Sequence, residues 1–323
     1  MMYEPYKRKR KRRARKKHRL LGALLRLLIL CALLIGIAGG LLYVLPAGLF
    51  AIEPDADLSP NSALPASPIN ILLLGVDAES DGQQRSDSMI VASIGADGVR
   101  LISILRDTAV DIPGYGEGRV NSAYAHGGAE LAVRTVNANF GLNIMHWCVA
   151  DYATLVRLVD AVGGIDVDVT AEELEQINHN VYSVHRSFKR LGYSYTPLTI
   201  SGPGTHLNGL QALGYARIRK LDSDFVRASR QRTVLTALLK KVRARFYDPV
   251  LLYRLAAAAL KGLKTDLSAP MLASLGLKAA AAGEVKTLRV PVNDSYQDTG
   301  AQIRITDPEL NRRAIYEFLY PSP

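Results

Sequence analysis

Residues 27–52 form a run of 26 residues without a charged side chain, and 11 Lys and Arg residues crowd positions 7–19 just before it. At about 1.5 Å rise per residue, a helix of that length exceeds the roughly 30 Å hydrocarbon core of a bilayer, so it can span once. The preceding cations place the amino end in the cytoplasm and everything after residue 52 outside. Small residues at Ala47, Gly48 and Ala51 would suit a cleavage site. The run is too long for a cleaved apolar region of about 7–15 residues, which favours an uncleaved signal anchor. Arg26 sits at the cytoplasmic end, where its stem can snorkel to the interface. The chain therefore divides into a basic cytoplasmic tail (1–26), a transmembrane signal anchor (27–52), a linker (53–68, EPDADLSPNSALPASP) and an outer domain (69–323) of a single-pass cell-membrane protein.

The net charge of +10 suggests nucleic acid until it is divided by position. Residues 1–50 carry 12 Lys and Arg and one acid, Glu4, whereas the other 273 carry 28 cations against 29 acids. A duplex-binding surface on the outer domain thus loses its support. The tail serves topology and attraction to anionic lipid, with a DNA-binding arm as the alternative reading. With 48% hydrophobic and 22% charged residues, the chain is neither disordered nor dependent on disulfides. Cys31 falls inside the expected span and Cys148 in the outer domain, so the two cannot pair within one chain. Neither zinc-type spacing nor an internal repeat is present.

In the outer domain the apolar runs 70–76, 89–94 and 99–105 read as strands buried on both faces. Residues 121–128 (NSAYAHGG) form a turn-rich entry to a helix over 129–139, and 151–162 a second helix closed by Gly163 and Gly164. Alternation of Ile165, Val167 and Val169 with Asp166 and Asp168 predicts a half-exposed strand. The polar stretch 171–201 is read as an irregular excursion. Beyond it come a short helix at 208–214, a strand at 215–219 (YARIR) and a long helix from Asp224, its N-cap, to about 245. A helix near 270–282, a strand at 285–292 and a helix at 308–319 complete an α/β domain with a central mixed sheet flanked by helices.

Asp77 follows the first buried strand, at whose carboxyl end an open α/β sheet usually places a ligand. Asp87 lies ten residues on, within RSDS, and two such carboxylates could hold a hard divalent cation together with phosphate oxygens. The alternative is a turn cap at Asp77 and an Asp87–Arg85 pair. Arg217 and Arg219 fall two apart on the expected strand, and Arg227, Arg230 and Gln231 share one helix face. Arg106 ends another strand, beside Asp107. In a near-neutral domain these guanidinium groups suit a phosphate or pyrophosphate clamp. The competing reading is solvated arginine paired with Asp107, Asp222 and Asp224.

The ordered blocks NILLLGVD (70–77), RSDS (85–88), SILRDTAVDIPGYG (103–116), RVNSAYAHGG (119–128), LVDAVGGIDVDV (158–169) and LNGLQALGYARIRKLDSDFVRASRQRTVL (207–235) closely resemble the LytR-CpsA-Psr family of cell-wall glycopolymer ligases. Leu105 stands where many members have proline, and 176–198 has no counterpart we can align. The resemblance implies an extracytoplasmic, Mg²⁺-assisted phosphotransferase, with Mn²⁺ as the alternative ion. It would move a glycopolymer such as teichoic acid or capsule from a polyprenyl-pyrophosphate carrier to peptidoglycan through a phosphodiester bond. Carried over position by position, Asp77 and Asp87 match the metal-associated acids, and Arg85, Arg106, Arg217, Arg219, Arg227 and Gln231 the pyrophosphate set; Arg230 and Asp224 match adjacent motif positions. Asp77, Asp87, Arg106 and Arg219 are the expected catalytic group, with either acid or Asp107 as general base. A polyprenyl-pyrophosphate-sugar pyrophosphatase and a non-catalytic polyprenyl-phosphate-binding regulatory module are the rival functions; nucleic acid is not an expected partner.

Overall fold

A computed structural model describes residues 57–76, 85–96, 98–218, 224–283 and 285–321. All lie in one unit, Gly48–Pro323; the other, Met1–Ala47, is outside the described residues, as are the tail, the expected span, Asp77, Arg219 and Asp222. Among the described residues no helix is long and apolar enough to cross a membrane.

The chain runs through β1 (Ile69–Val76), β2 (Ser86–Gly95), β3 (Gly98–Ile104), β4 (Thr108–Ile112), β5 (Gly116–Arg119), α1 (Ser122–Phe140), β6 (His146–Asp151), α2 (Tyr152–Ala161), β7 (Ile165–Val169) and α3 (Ala171–Arg190). It continues through β8 (Gly202–Leu207), α4 (Gly209–Ala216), α5 (Asp224–Ala244), α6 (Pro249–Leu260), β9 (Lys264–Thr265), α7 (Ala269–Ala281), β10 (Val285–Val290), β11 (Tyr296–Asp298), β12 (Ile303–Ile305) and α8 (Pro308–Leu319). The central sheet is mixed, in the order β10-β3-β2-β1-β6-β9. β1 pairs antiparallel with β2 and parallel with β6, and β3 pairs parallel with β10.

Strand periodicity explains why the runs at β1–β3 are apolar throughout. Side chains alternate between faces, so Leu72, Leu74, Met89, Val91, Ile102 and Ile104 enter the core beneath α1 and α8. Their neighbours Ile90, Ala92, Val99 and Leu101 pack on the other face with Ala279 of α7 and Leu235 and Leu239 of α5. A separate core joins α2, β7, α3, β8, α4 and α5 through Val159, Ile165, Ile177, Leu207, Leu213 and Val234. The described part of the segment read as a linker is held against the domain. Arg134 Nε donates to the Asp57 carbonyl at 2.9 Å, Asn137 Nδ2 to the Leu58 carbonyl at 2.9 Å, and the Asn61 amide to the Leu142 carbonyl at 2.9 Å.

Two expectations need correcting. Residues 171–190 are helix rather than an irregular excursion, because Thr170 and Glu173 form a reciprocal capping box and Ile177, Val181, Val184 and Phe188 recur at helical spacing on the buried side. The expected strand at 215–219 is also absent: Tyr215 and Ala216 end α4, and Arg217 is its C-cap. Gly214 lets α4 lie close against α3, because a side chain there would lie 2.9 Å from the Ile177 carbonyl. In α1, Gly127 and Gly128 break the helical geometry, and Gly128 adopts φ +65°, which separates the short Ser122–His126 segment from the long one. Thr170→Ala is expected to cost about 1 kcal/mol by freeing the α3 amino end. A urea titration should show a lower midpoint at unchanged slope; an unmoved midpoint would mean that the cap contributes nothing.

Candidate active site

The pairing of β1, β2, β3 and β6 brings distant residues to one edge of the sheet. Val76 pairs with Ser86, so the start of β2 lies beside the carboxyl end of β1, and Met89 pairs with Ile104 just before Leu105 and Arg106. Val76 also pairs with Asp151, which sets Tyr152 at the same edge. The amino-terminal half of α5 completes a small pocket in which Asp87, Arg106, Arg227 and Gln231 meet.

Asp87 is the centre of the cluster. Arg106 Nη1 donates to its Oδ1 at 3.0 Å; the Tyr152 hydroxyl donates to Oδ2 at 2.7 Å, and Arg227 Nη2 lies 3.3 Å from the same oxygen. The Arg227 side chain is 4% exposed and that of Asp87 20%, so the guanidinium is buried and its carboxylate partner half-buried. Such pairs contribute little net stability but cost several kcal/mol when one member is removed. Arg106 also donates from Nε to Asp107 Oδ2 at 3.2 Å, and Arg119 Nη1 donates to Asp107 Oδ1 at 3.2 Å. Asp107 therefore turns the Arg106 fork toward Asp87.

The other arginines of the expected clamp occupy separate positions. Arg85 is exposed at the entrance to β2, and Asp87 pairs with Arg106 and Arg227 instead of with it. Arg217 lies over the Tyr152 ring, its Cζ 4.9 Å from the centroid, and so acts on the pocket through the phenol that touches Asp87. Arg230 is buried on another side of α5, where Nε donates to Glu173 Oε1 at 2.7 Å and Cζ lies 6.0 Å from the Tyr215 ring centroid. Burial, reinforced by the Glu173 charge, raises the Tyr215 phenol above its ordinary range and keeps it neutral. Glu173 does two jobs, since its Oε2 accepts the Thr170 amide at 3.0 Å while Oε1 holds Arg230. The cap of α3 and the guanidinium side of α5 are thereby tied together. Asp77 and Arg219 lie outside the described residues, as does the Asp224 side chain.

Tyr152 and Glu173 were not singled out from sequence. Glu173 had a local signal in the T-x-x-E pattern at Thr170, whereas Tyr152 reaches the pocket only through the parallel pairing of β6 with β1. Among the described residues no group of three or more His, Cys, Asp or Glu side chains could hold a metal ion alone. A single carboxylate such as Asp87 is within the range that Mg²⁺ uses, since the ion commonly takes one or two carboxylates and completes its shell with phosphate oxygens and water.

A model described as the LytR_cpsA_psr family matches residues 52–313. The chain is 36% identical over 255 residues to the Polyisoprenyl-teichoic acid--peptidoglycan teichoic acid transferase TagU of Enterococcus faecalis, covering 76% of this chain and 77% of that protein. It is 33% identical over 262 residues to the Regulatory protein MsrR of Staphylococcus aureus, covering 78% of this chain and 74% of that protein. A solved structure of TagT bound to LIIa-WTA shares the fold, with TM-score 0.61 and 21% identity over 83% of this chain and 94% of that one.

Proposed function

The chain belongs to the LytR-CpsA-Psr family, and from that premise we propose that it is a membrane-anchored, extracytoplasmic phosphotransferase. It transfers a glycopolymer from a polyprenyl-pyrophosphate carrier to a hydroxyl of peptidoglycan. The observation that carries the proposal is the convergence of Arg106 and Arg227 on Asp87, with Gln231 lining the same pocket. The teichoic acid transferase name of the Enterococcus faecalis relative supports the substrate class.

In this mechanism a pyrophosphate enters against Arg106 and Arg227, whose fork geometry matches phosphate oxygens. The acceptor hydroxyl oxygen attacks the glycan-proximal phosphorus, forming a phosphodiester P–O bond. The anhydride P–O bond breaks, polyprenyl phosphate leaves with its electron pair, and the hydroxyl proton passes to Asp87 or Asp107. The two arginines offset the charge on the oxygens around phosphorus, so catalysis is mainly positional and electrostatic. Mg²⁺ held by Asp87 and Asp77 would supply further charge neutralisation at those oxygens. Arg85, Arg217 and Arg219 complete the pyrophosphate set.

The test uses the full chain in detergent, a labelled polyprenyl-pyrophosphate-linked glycan and peptidoglycan fragments, with Mg²⁺ or with a chelator. A phosphodiester-linked product that needs Mg²⁺ is expected. Free sugar phosphate in place of it would make the protein a pyrophosphatase, and bound but unaltered lipid would make it a binding module.

A further inference from the structure

One residue further along α5 from the pyrophosphate pocket, the helix presents a different face. Ser229, Arg232, Thr233, Thr236 and Lys240 follow helical spacing along one stripe and line a groove of about 340 Å³. From residue 229 to 240 the stripe is about 16 Å long at 1.5 Å rise per residue. Asp166 and Asp168 of β7 and Thr287 of β10 also line it. Gln231 and Ala228, on the adjoining face of the same helix, line the pyrophosphate pocket. The two sites are therefore contiguous along α5.

The chemistry of the lining is unusual for a helix surface. Three hydroxyl side chains occupy the α5 stripe, where long charged residues would ordinarily serve solubility, and Thr287 adds a fourth hydroxyl from the sheet edge. Asp166 accepts from His206 Nδ1 at 2.7 Å and pairs with Lys241 at 2.5 Å, while Asp168 Oδ1 accepts the Gly204 amide at 2.8 Å. A carboxylate offers about four acceptor positions, so both keep capacity for ligand hydroxyls.

Arg232 supplies a second, independent observation. Its Nη1 is buried and has no hydrogen-bond partner, and it makes no ion pair among the described residues. The neighbouring cation is Arg289, whose Cζ lies 4.5 Å from the Phe225 ring centroid and whose Nη2 donates to Asn293 at 2.5 Å. Burial and then repulsion from Arg289 push the Arg232 pKa below its ordinary value. A half-buried guanidinium beside another cation, with one buried donor unused, suits an anionic group.

We propose that this groove is a saccharide-binding site, in which hydroxyls and carboxylates hold successive sugar hydroxyls and Arg232 takes an anionic substituent of the chain. Sugar rings are recognised by such mixed donors and acceptors, and the groove leads a chain laid along α5 toward Asp87. The assignment rests on the transferase reading for its biological meaning, because two saccharides meet in that reaction: the peptidoglycan acceptor and the polymer being moved.

Binding of each saccharide is measured separately by calorimetry, using lipid-free peptidoglycan fragments and lipid-free polymer with the full chain in detergent. At least one is expected to bind, and both Thr236→Trp, which fills the groove, and Arg232→Gln should weaken it tenfold or more while circular dichroism stays native. Asp87→Ala should leave that binding unchanged. The saccharide that loses affinity identifies the occupant, and in the transfer assay its KM should rise while the other substrate's KM holds. If neither saccharide binds, or if both groove variants bind like the native chain, the site assignment is wrong. Saccharide binding that is lost in the variants, together with no transfer by the native chain, would overturn the transferase and leave the groove standing.

Discussion

Asp87→Ala is expected to reduce glycopolymer transfer by about 10²–10³-fold, the range found when a preorganised electrostatic group is removed from a reacting centre. The same substitution should lower stability by about 3 kcal/mol, because it strips the carboxylate from a buried guanidinium. For a domain of this size that corresponds to a fall of roughly 5–10 °C in melting temperature. The two effects share a cause. Arg106 and Arg227 approach one another because Asp87 sits between them, at 3.0 and 3.3 Å. Without it they repel, and the Tyr152 hydroxyl loses its acceptor. Added pyrophosphate should restore most of the lost melting temperature in Asp87→Ala, since it supplies the missing negative charge, while transfer stays low. Full activity in the variant would remove Asp87 from the mechanism, and a melting temperature indifferent to pyrophosphate would remove the arginines from the binding site.

Gly209→Ala is the second large effect, and it acts on the fold. Gly209 opens α4, where a Cβ would lie 2.4 Å from the Val156 carbonyl oxygen and 2.8 Å from both Asp160 Oδ2 and Val156 Cγ1. The obstacle is the backbone of α2, which cannot swing aside as a side-chain tip can. Its own amide donates to Asp160 Oδ1 at 2.7 Å, a bond that partly offsets the burial raising the Asp160 pKa. Relieving the clash pushes α4 off α2, opens the core around Leu210 and Leu213, and breaks that bond. A cost of about 3 kcal/mol or more is expected. Urea unfolding reads it as a lowered midpoint, and affinity for pyrophosphate should fall as well, because Arg217 at the end of α4 moves off Tyr152. An unshifted midpoint would show that α2 and α4 are not packed this closely.

How much of this was legible in the amino-acid order depended on the range of the interactions. β1 to β3 announced themselves through continuous apolar runs, and β7 through alternation matched by its alternating burial, because period-two patterns need only a few neighbours to read. The terminal helix was bounded by Pro308 and Leu319, as expected. α3 was overlooked because charged and polar residues outnumber its apolar ones, although its cap and the Ile177–Val181–Val184–Phe188 stripe were both present. The strand expected at 215–219 failed for a related reason. Arg-Ile-Arg alternates locally, yet the Asn208–Gln211 capping box and the contact of α4 with α3 extend the helix through Tyr215 and Ala216. At the site, motif resemblance pointed to Asp87, Arg106, Arg227 and Gln231, which the fold does bring together. Arg230, which the resemblance matches to an adjacent motif position, pairs with Glu173 on a helix that the sequence reading takes as irregular. Tyr152 depended on strand order, which no local pattern encodes.

The Asp87 carboxylate also makes the resting pocket an ion exchanger whose counter-ion is covalently tethered. A tethered counter-ion acts at high effective concentration, so a small monoanion gains nothing by displacing it. A pyrophosphate brings several charged oxygens to the same two guanidinium forks and can win the exchange. In the proposed mechanism its arrival would release the Asp87 carboxylate, so one of the two candidate proton acceptors would stay masked until the donor binds. In that mechanism the site would stay quiet toward water and ambient salts until its own donor arrives.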